Sequence, residues 1–313
     1  MFINVGARTD ITNYYSEWLM NRIHEGYVLS RNPFAPNKVY KYRLSPDVVD
    51  CILFCTKNPE PILDKIDEIL SRGFHVFFFV TITSYGKDIE PGVPDYHQVI
   101  KSFQQLSSIV GKNSICWRYD PIFITEKYGI EHHMKCFEEM SKEISPYTNC
   151  CIFSFVQMYK KLAYTFPELR PVSEKEKKIL LTEMGKIAEK YNLRLQSCGD
   201  GNDYTAYGIS RSGCITAPII EKAIGRELKS IRPKPSRKGC GCLPYSDIGA
   251  YNTCPSGCLY CYATKDTTLA AESCRKHNPL SPLLNGELLP GDEIIQAKQE
   301  SFLEPYVQLR LDL

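Results

Sequence analysis

Short apolar runs alternate with amphipathic segments through roughly the first two hundred residues of this 313-residue chain. Each run has the length of a β-strand, and residues 75–82 are almost uniformly apolar, as is typical of a strand covered on both faces. The alternation predicts an α/β fold with a parallel sheet. The six predicted strands are 2–5, 50–55, 75–82, 114–117, 150–156 and 193–196.

Segments with apolar residues at helical spacing separate these strands. The capping box of Ser173 and Glu176 begins the best-marked predicted helix. Residues 31–46 contain three prolines and predict an irregular loop. The predicted helices are 13–26, 60–72, 96–110, 129–141, 173–191 and 218–228.

About six βα units predict a partial or complete parallel (β/α) barrel over residues 1–198. From residue 199 onward Gly, Cys, Pro and Tyr become frequent and the alternation stops. We therefore predict a second region, a cysteine-rich extension over residues 199–313.

Polar side chains follow the predicted strands at their carboxyl ends, where parallel barrels carry their chemistry. A mouth built from such residues would be a polar cavity able to hold a cofactor and a second molecule. Loops are polar in any case, which explains part of the pattern but less well the Arg and Asp that follow strands one and four. The residues concerned are Arg8, Asp10, Lys57, Asn58, Thr83, Tyr85, Arg118, Asp120, Gln157 and Cys198.

Three cysteines stand at C-x3-C-x2-C spacing, as Cys254, Cys258 and Cys261. Thiolates are soft ligands, so we expect these cysteines to bind an iron–sulfur cluster or a zinc ion. A four-iron cluster has four corners, and three local ligands leave one iron open. Two alternatives stand beside this interpretation: a structural zinc site with Cys240 or Cys242 as the fourth ligand, or buried thiols without a metal.

The cysteine segment resembles the cluster-binding loop of radical S-adenosylmethionine (SAM) enzymes, with Tyr260 at the aromatic position before the third cysteine. The string around it also resembles the spore photoproduct lyase branch of that superfamily. More of the chain resembles an uncharacterised bacterial family with a radical-SAM-like cysteine cluster near its C-terminal end. The landmarks of this second resemblance are residues 7–11, 56–59, 117–121 and the cysteine segment.

The resemblance implies a [4Fe–4S] cluster on the three cysteines and SAM on the open iron. Reductive cleavage of SAM would then release a 5′-deoxyadenosyl radical that takes a hydrogen atom from an unknown substrate, with an electron donor such as flavodoxin or ferredoxin. From their positions after the predicted strands, Arg8, Asp10, Lys57, Arg118 and Asp120 are the candidates for catalysis and for binding SAM or the substrate. Tyr260, Asn58 and Gln157 are the further candidates for cofactor binding.

The position of the motif departs from the superfamily, in which the cysteine loop follows the first barrel strand. Here 52 residues follow Cys261, too few for five further βα units. The barrel must therefore precede the motif, and we expect the extension to lay the cluster over the barrel mouth. The Gly-Gly-Glu segment of the superfamily is absent, and residues 285–287 are a poor substitute.

Four more cysteines could form a second site, namely Cys198, Cys214, Cys240 and Cys242. They could ligate a second iron–sulfur cluster or zinc, or remain thiols without a metal. The adjacent pair His132 and His133 lies on a predicted helix, where neighbours do not share a face, so a joint metal site is not expected. The cysteines within apolar runs are expected to be core residues: Cys51, Cys55, Cys116, Cys150 and Cys151.

Bulk properties narrow the function classes further. The net charge of +2 gives little support for a nucleic-acid partner. The hydrophobic content of 43% is enough to form a core. No signal peptide and no long apolar span are recognisable, so we expect no membrane partner and a reducing cytoplasmic location. The alternatives to a radical SAM enzyme are a non-SAM iron–sulfur protein for electron transfer or redox sensing, and a zinc-stapled α/β barrel.

Overall fold

The computed structural model describes residues 1–199, 201–211, 213–234 and 239–305. The remaining residues all fall in the predicted extension, and the parts of that prediction that concern them lie outside the described residues.

An eight-stranded sheet in which every pair of neighbours is parallel forms the centre of the protein. From β1 the strand order follows the chain through β4, β5, β6, β7, β8 and β9, and β10 is added on the other side of β1. All six predicted strands are present, and the α/β prediction with a parallel sheet is confirmed. The strands of this sheet are β1 (Phe2–Asn4), β4 (Cys51–Thr56), β5 (Val76–Thr81), β6 (Ile115–Ile122), β7 (Cys150–Phe155), β8 (Arg194–Ser197), β9 (Ser210–Arg211) and β10 (Tyr245–Asp247).

The two edge strands β9 and β10 do not pair with each other in the part of the chain that the structure describes, so a closed barrel is not shown. The predicted second region contributes both of these strands to the main sheet. Strand β10 pairs in register with β1, as the Cα partners Phe2 and Tyr245 show. The proposed division at residue 198 stays a prediction.

Helices connect the strands, and their ends follow ordinary capping chemistry. Asp95 caps α4 by accepting a hydrogen bond from the backbone N–H of His97, and the predicted capping box of Ser173 and Glu176 begins α7. The predicted helix 13–26 is instead two helices that meet at Tyr15. The helices are α1 (Ile11–Tyr14), α2 (Ser16–Glu25), α3 (Ile66–Ser71), α4 (Tyr96–Val110), α5 (Ile130–Ile144), α6 (Leu162–Thr165), α7 (Glu174–Lys190), α8 (Ala217–Ile224) and α9 (Thr267–Arg275).

Both faces of the sheet are buried, as the apolar run in β5 predicts. Phe78 and Val80 pack on one face in a cluster with residues of α3, α4, α5 and α7. Phe77 and Phe79 alternate to the other face, where the apolar residues of α8 cover them. Apolar packing therefore covers both faces of the central strands. Polar side chains lie at the carboxyl ends of the strands instead.

A second, three-stranded sheet corrects the prediction of an irregular loop at residues 31–46. It consists of β2 (Tyr27–Arg31), β3 (Lys38–Arg43) and β11 (Glu293–Gln296), in the order β11, β3, β2. The prolines lie in or beside the turns rather than within the strands, and β3 is only half-buried, so no clear alternation marked it. No helix within the described residues is long and apolar enough to cross a membrane.

Candidate functional site

A cavity of about 650 Å³ lies at the carboxyl ends of the parallel strands. Side chains from the strand ends line one part of it, and the cysteine-rich segments line the rest. Asn58 is a predicted cofactor-binding residue that is not part of the lining; it donates to Asn13 Oδ1 at 2.9 Å instead. The predicted site residues that the cavity brings together are Arg8, Asp10, Lys57, Arg118, Asp120, Gln157, Cys198, Cys214, Cys240, Cys242, Cys254, Cys258, Tyr260 and Cys261.

The loop that carries Cys254, Cys258 and Cys261 is a compact turn stabilised by its own hydrogen bonds. The Cys261 N–H donates to Cys258 O at 3.0 Å, and Thr264 Oγ1 donates to Cys254 O at 3.2 Å. Gly257 has φ +69, a left-handed conformation that favours glycine. The turn therefore presents its three half-buried thiols along one wall of the cavity.

A loop after β5 clamps this turn from outside. The Gly92 N–H donates to Ser256 O at 2.8 Å, and the Leu259 N–H donates to Ile89 O at 3.0 Å. A Cβ at Gly92 would lie 2.8 Å from Ser256 Cα, so only glycine permits the close approach of the two backbones.

Glu90 is a buried acid beside the candidate site that the sequence analysis missed. Its carboxylate is 3% exposed and accepts from Lys57 Nζ at 2.9 Å, from Thr83 Oγ1 at 2.8 Å and from the hydroxyl of Tyr260. The carboxylate thus fixes a cation and the aromatic residue of the cysteine motif together. A buried acid in a loop far from any predicted strand end gave no signal of this role.

Asp10 has a structural task in addition to its place in the cavity wall. It caps α1 by accepting from the Asn13 N–H at 3.1 Å and accepts from the Lys57 N–H at 2.9 Å. Burial raises the pKa of the Asp10 carboxyl to about 6, against the opposing effect of these N–H donors. Burial, together with the nearby charge of Asp10, raises the pKa of the Cys254 thiol to about 11.

Arg8 forms an ion pair with Asp247, an acid in β10 that the sequence analysis also missed. The guanidinium donates from Nε to the carboxylate and from Nη2 to Asp247 O at 2.6 Å. Burial raises the pKa of Asp247, and Arg8 opposes the shift. The pair fixes the loop after β1 to β10.

Arg118 and Asp120 lie within β6 rather than after it, because the pairing of β6 with β7 continues to Ile122. Asp120 accepts from Arg118 Nη2 and from Ser154 Oγ, and the Asp120–Pro121 peptide bond is cis. Burial disfavours the charge on Arg118, but Asp120 and nearby thiols outweigh it and raise the pKa. Arg118 Nε is buried and has no hydrogen-bond partner among the residues that the structure describes.

Four other cysteines also line the cavity, Cys198, Cys214, Cys240 and Cys242. Cys214 Sγ and Cys242 Sγ are 3.3 Å apart, and the thiol of Cys242 also contacts the thiols of Cys198 and Cys240. Across the described ranges, no group of three or more His, Cys, Asp or Glu is already arranged to hold a metal ion. The structure therefore brings the predicted cysteines to one cavity without presenting a finished metal geometry.

The model of a protein family described as a domain of unknown function (DUF1848) matches residues 2–263. The chain belongs to this family. The DUF1848 match includes all seven cysteines predicted as metal ligands, whereas α9 and β11 lie beyond it.

No curated protein matches the chain. Among solved structures, the chain of this DUF1848 member is similar to one named "putative alpha-L-fucosidase" from Bacteroides thetaiotaomicron VPI-5482, at 12% identity and a TM-score of 0.29. The match covers 70% of this chain and 61% of the other. The likeness is too weak to indicate a shared fold.

Proposed function

We propose that this protein is a radical SAM enzyme in which Cys254, Cys258 and Cys261 hold a [4Fe–4S] cluster and the cavity binds SAM with a substrate of unknown class. The observation that supports the proposal is the shared cavity, since the three thiols line it together with the cations Arg8 and Arg118. Its volume of about 650 Å³ lies within the range of small-molecule sites.

The donor set fits the proposed group. Three soft thiols stand on one turn within eight residues, and three protein ligands leave one iron of a four-iron cluster for SAM. When bound to these cysteines, the cluster would supply the electron for reductive cleavage of SAM, the chemistry that leads to hydrogen-atom abstraction from a substrate. The protein supplies binding, orientation and exclusion of water.

Lys57 and Arg118 are suited to bind the anionic parts of SAM or of the substrate. An ammonium has three N–H donors, and within the described residues Glu90 and Thr83 accept from two of them. Arg118 contributes the buried Nε donor that has no partner within the same residues. Each cation is held by a carboxylate, Glu90 or Asp120, which fixes its position before a ligand arrives.

Anaerobic reconstitution with iron and sulfide tests the proposal. We expect a brown protein that releases 5′-deoxyadenosine when dithionite and SAM are added, with dithionite replacing the flavodoxin or ferredoxin donor. Cys258→Ala should abolish the product, because one of three cluster ligands is lost. Cys274→Ala is the matched control, since Cys274 is also half-buried but lies on α9 and is not part of the cavity lining.

Two outcomes would overturn the proposal in different directions. A brown protein that yields no 5′-deoxyadenosine indicates electron transfer or redox sensing. A colourless protein with zinc that is lost in Cys258→Ala indicates a zinc-stapled fold.

A further inference from the structure

A second group of thiols forms where three stretches of chain converge beside the cavity. Cys198 directly follows β8, Cys214 follows β9, and Cys240 and Cys242 lie on the approach to β10. The Cys214 and Cys242 sulfur atoms are 3.3 Å apart, and Cys242 also contacts the thiols of Cys198 and Cys240. Four cysteines from distant positions thus come together at the cavity, with the Cys242 thiol next to the other three.

The backbone around the four thiols is built for this close approach. A Cβ at Gly213 would lie 2.5 Å from the Cys242 nitrogen, so glycine is required where the two segments cross. The Leu243 N–H donates to Ile215 O at 2.8 Å, and Gln196 Nε2 donates to Gly213 O at 2.5 Å. Cys116 differs, because it lies on β6, has its thiol 3.4 Å from the Cys150 thiol and is not part of the cavity lining. Cys55, predicted as a core residue, is instead half-buried and lines the cavity.

The guanidinium of Arg118 lies near the four thiols. Arg118 lines the same cavity as the four cysteines, and thiol charge on Cys214 and Cys198 would stabilise its guanidinium. A divalent ion held by four thiolates has a net charge of about −2. The positive charge of the half-buried Arg118 complements this negative charge. Its Nε is a buried donor that has no partner among the described residues.

We propose that Cys198, Cys214, Cys240 and Cys242 form a mononuclear tetrathiolate metal centre of the zinc type, separate from the Cys254, Cys258 and Cys261 site. Zinc–sulfur bonds of about 2.3 Å place tetrahedral ligands about 3.8 Å apart, so the Cys214 and Cys242 sulfurs, 3.3 Å apart, need only a small outward shift. Cys198 and Cys240 must turn toward the same ion, because the described residues hold no finished metal geometry. A four-iron cluster binds each thiolate to a different iron and would need the sulfurs spread around the whole cluster.

Binding converts the thiols to thiolates and releases their protons to solvent, and no electron is exchanged. The closed four-ligand site has no position for substrate, so its task is to fix the segments after β8 and β9 to the chain entering β10. The proposal does not depend on SAM chemistry.

Metal analysis of protein purified from zinc-supplemented cells tests the inference. We expect about one zinc per chain in the wild type and in Cys258→Ala, and its loss in Cys214→Ser and Cys242→Ser. Cys116→Ala is the matched control and should keep the zinc. Replacing zinc by cobalt in the wild-type protein should give the visible bands of a tetrahedral tetrathiolate site, a readout that needs no variant to fold.

Each other outcome overturns the inference. Zinc lost in Cys258→Ala would assign the ion to the other cysteines. Iron and sulfide that persist in Cys258→Ala and vanish in Cys214→Ser would indicate a second cluster. A metal-free wild type with two unreactive thiols would indicate a Cys214–Cys242 disulfide. Zinc content and 5′-deoxyadenosine release are independent readouts, so failure of this site and failure of the radical SAM proposal are distinguishable.

Discussion

Single residues in the cavity wall have partners that sequence position alone does not reveal. Asp10 lies after a strand, as expected, but its carboxylate caps α1 and binds the Lys57 N–H. Glu90 lies in a loop that has no helical or strand periodicity, yet its carboxylate accepts hydrogen bonds from both Lys57 and Tyr260. The rule that chemistry follows strand ends indicates where polar side chains collect. It does not indicate which of them pair, because the partners come from separate loops.

His133 is buried away from the cavity and makes stability depend on pH. Nε2 donates to Phe123 O at 2.9 Å, and Nδ1 accepts from the Tyr119 hydroxyl at 2.8 Å, so both nitrogens are satisfied in the neutral ring. Burial lowers the pKa of His133 from 6.5 to about 4, and His132 adds to the shift. Between these values the unfolded chain binds a proton that the folded protein does not.

The contribution of His133 to stability is therefore complete above about pH 6.5 and is lost as the pH falls toward 4. We expect the advantage of wild type over His133→Gln in unfolding free energy to shrink by roughly 2–3 kcal/mol between about pH 7 and about pH 4.5. Urea unfolding at several pH values measures it. His97→Gln, on the exposed side of α4, should show no such change, and a parallel pH profile for His133→Gln would contradict the prediction.

Elements with a strong periodic pattern could be predicted from the sequence. Helix α4 spans the predicted residues 96–110, and the apolar β5 is buried on both faces. The failures have physical causes. Strand β3 is half-exposed and pairs with β11, some 250 residues later in the chain, and the three-residue β10 has no apolar run. Contacts that are distant in sequence formed these elements, and local propensity carried no trace of them.

The contact between the loop after β5 and the cysteine turn can be tested through Gly92. Gly92→Ala places a Cβ within 2.8 Å of Ser256 backbone atoms, which cannot move as a side chain could. We expect a loss of about 1–3 kcal/mol in unfolding free energy and faster hydrogen exchange at the Leu259 amide. Gly129→Ala is the control, because no atom lies within 4 Å of its added Cβ. Equal unfolding free energies for the two variants would contradict close backbone packing between Gly92 and Ser256.

On the scale of the whole molecule, residues 264–305, which lie beyond the DUF1848 match, return to the N-terminal part of the chain. Trp18 Nε1 donates to Ser281 O at 2.8 Å, Leu29 forms a bridge with Leu283, and β11 completes the second sheet beside β3. This part of the C-terminal segment therefore packs against α2 and β3.

Asp50 fixes the last part of this segment at the start of β4. Its carboxylate is buried and accepts from Ser301 Oγ at 2.5 Å, from the Phe302 N–H at 2.7 Å and from the N-terminal ammonium. Asp50→Ala leaves these donors without their acceptor, so we expect a loss of about 3 kcal/mol in unfolding free energy. Trypsin should also cleave faster after the exposed Lys298, since the chain beyond it loses this attachment and keeps only weaker ones, such as the bridge between Leu228 and Leu303.

Asp64→Ala is the control for this change, because the side chain of Asp64 is 77% exposed and contacts only its neighbour Lys65 among the described residues. Exposed ion pairs contribute little, so the control should unfold within about 0.5 kcal/mol of wild type and be cleaved at the wild-type rate. If Asp50→Ala behaved like this control, the segment would be held by its backbone hydrogen bonds to residues 227 and 229 and by the packing of Phe302 on Phe2, whose ring centroids are 5.2 Å apart. If Asp50→Ala both unfolds more easily and is cleaved faster, the buried carboxylate is what attaches the segment. Strand β11 cannot account for this change, because it lies before Lys298 and stays paired with β3 in the variant and in wild type.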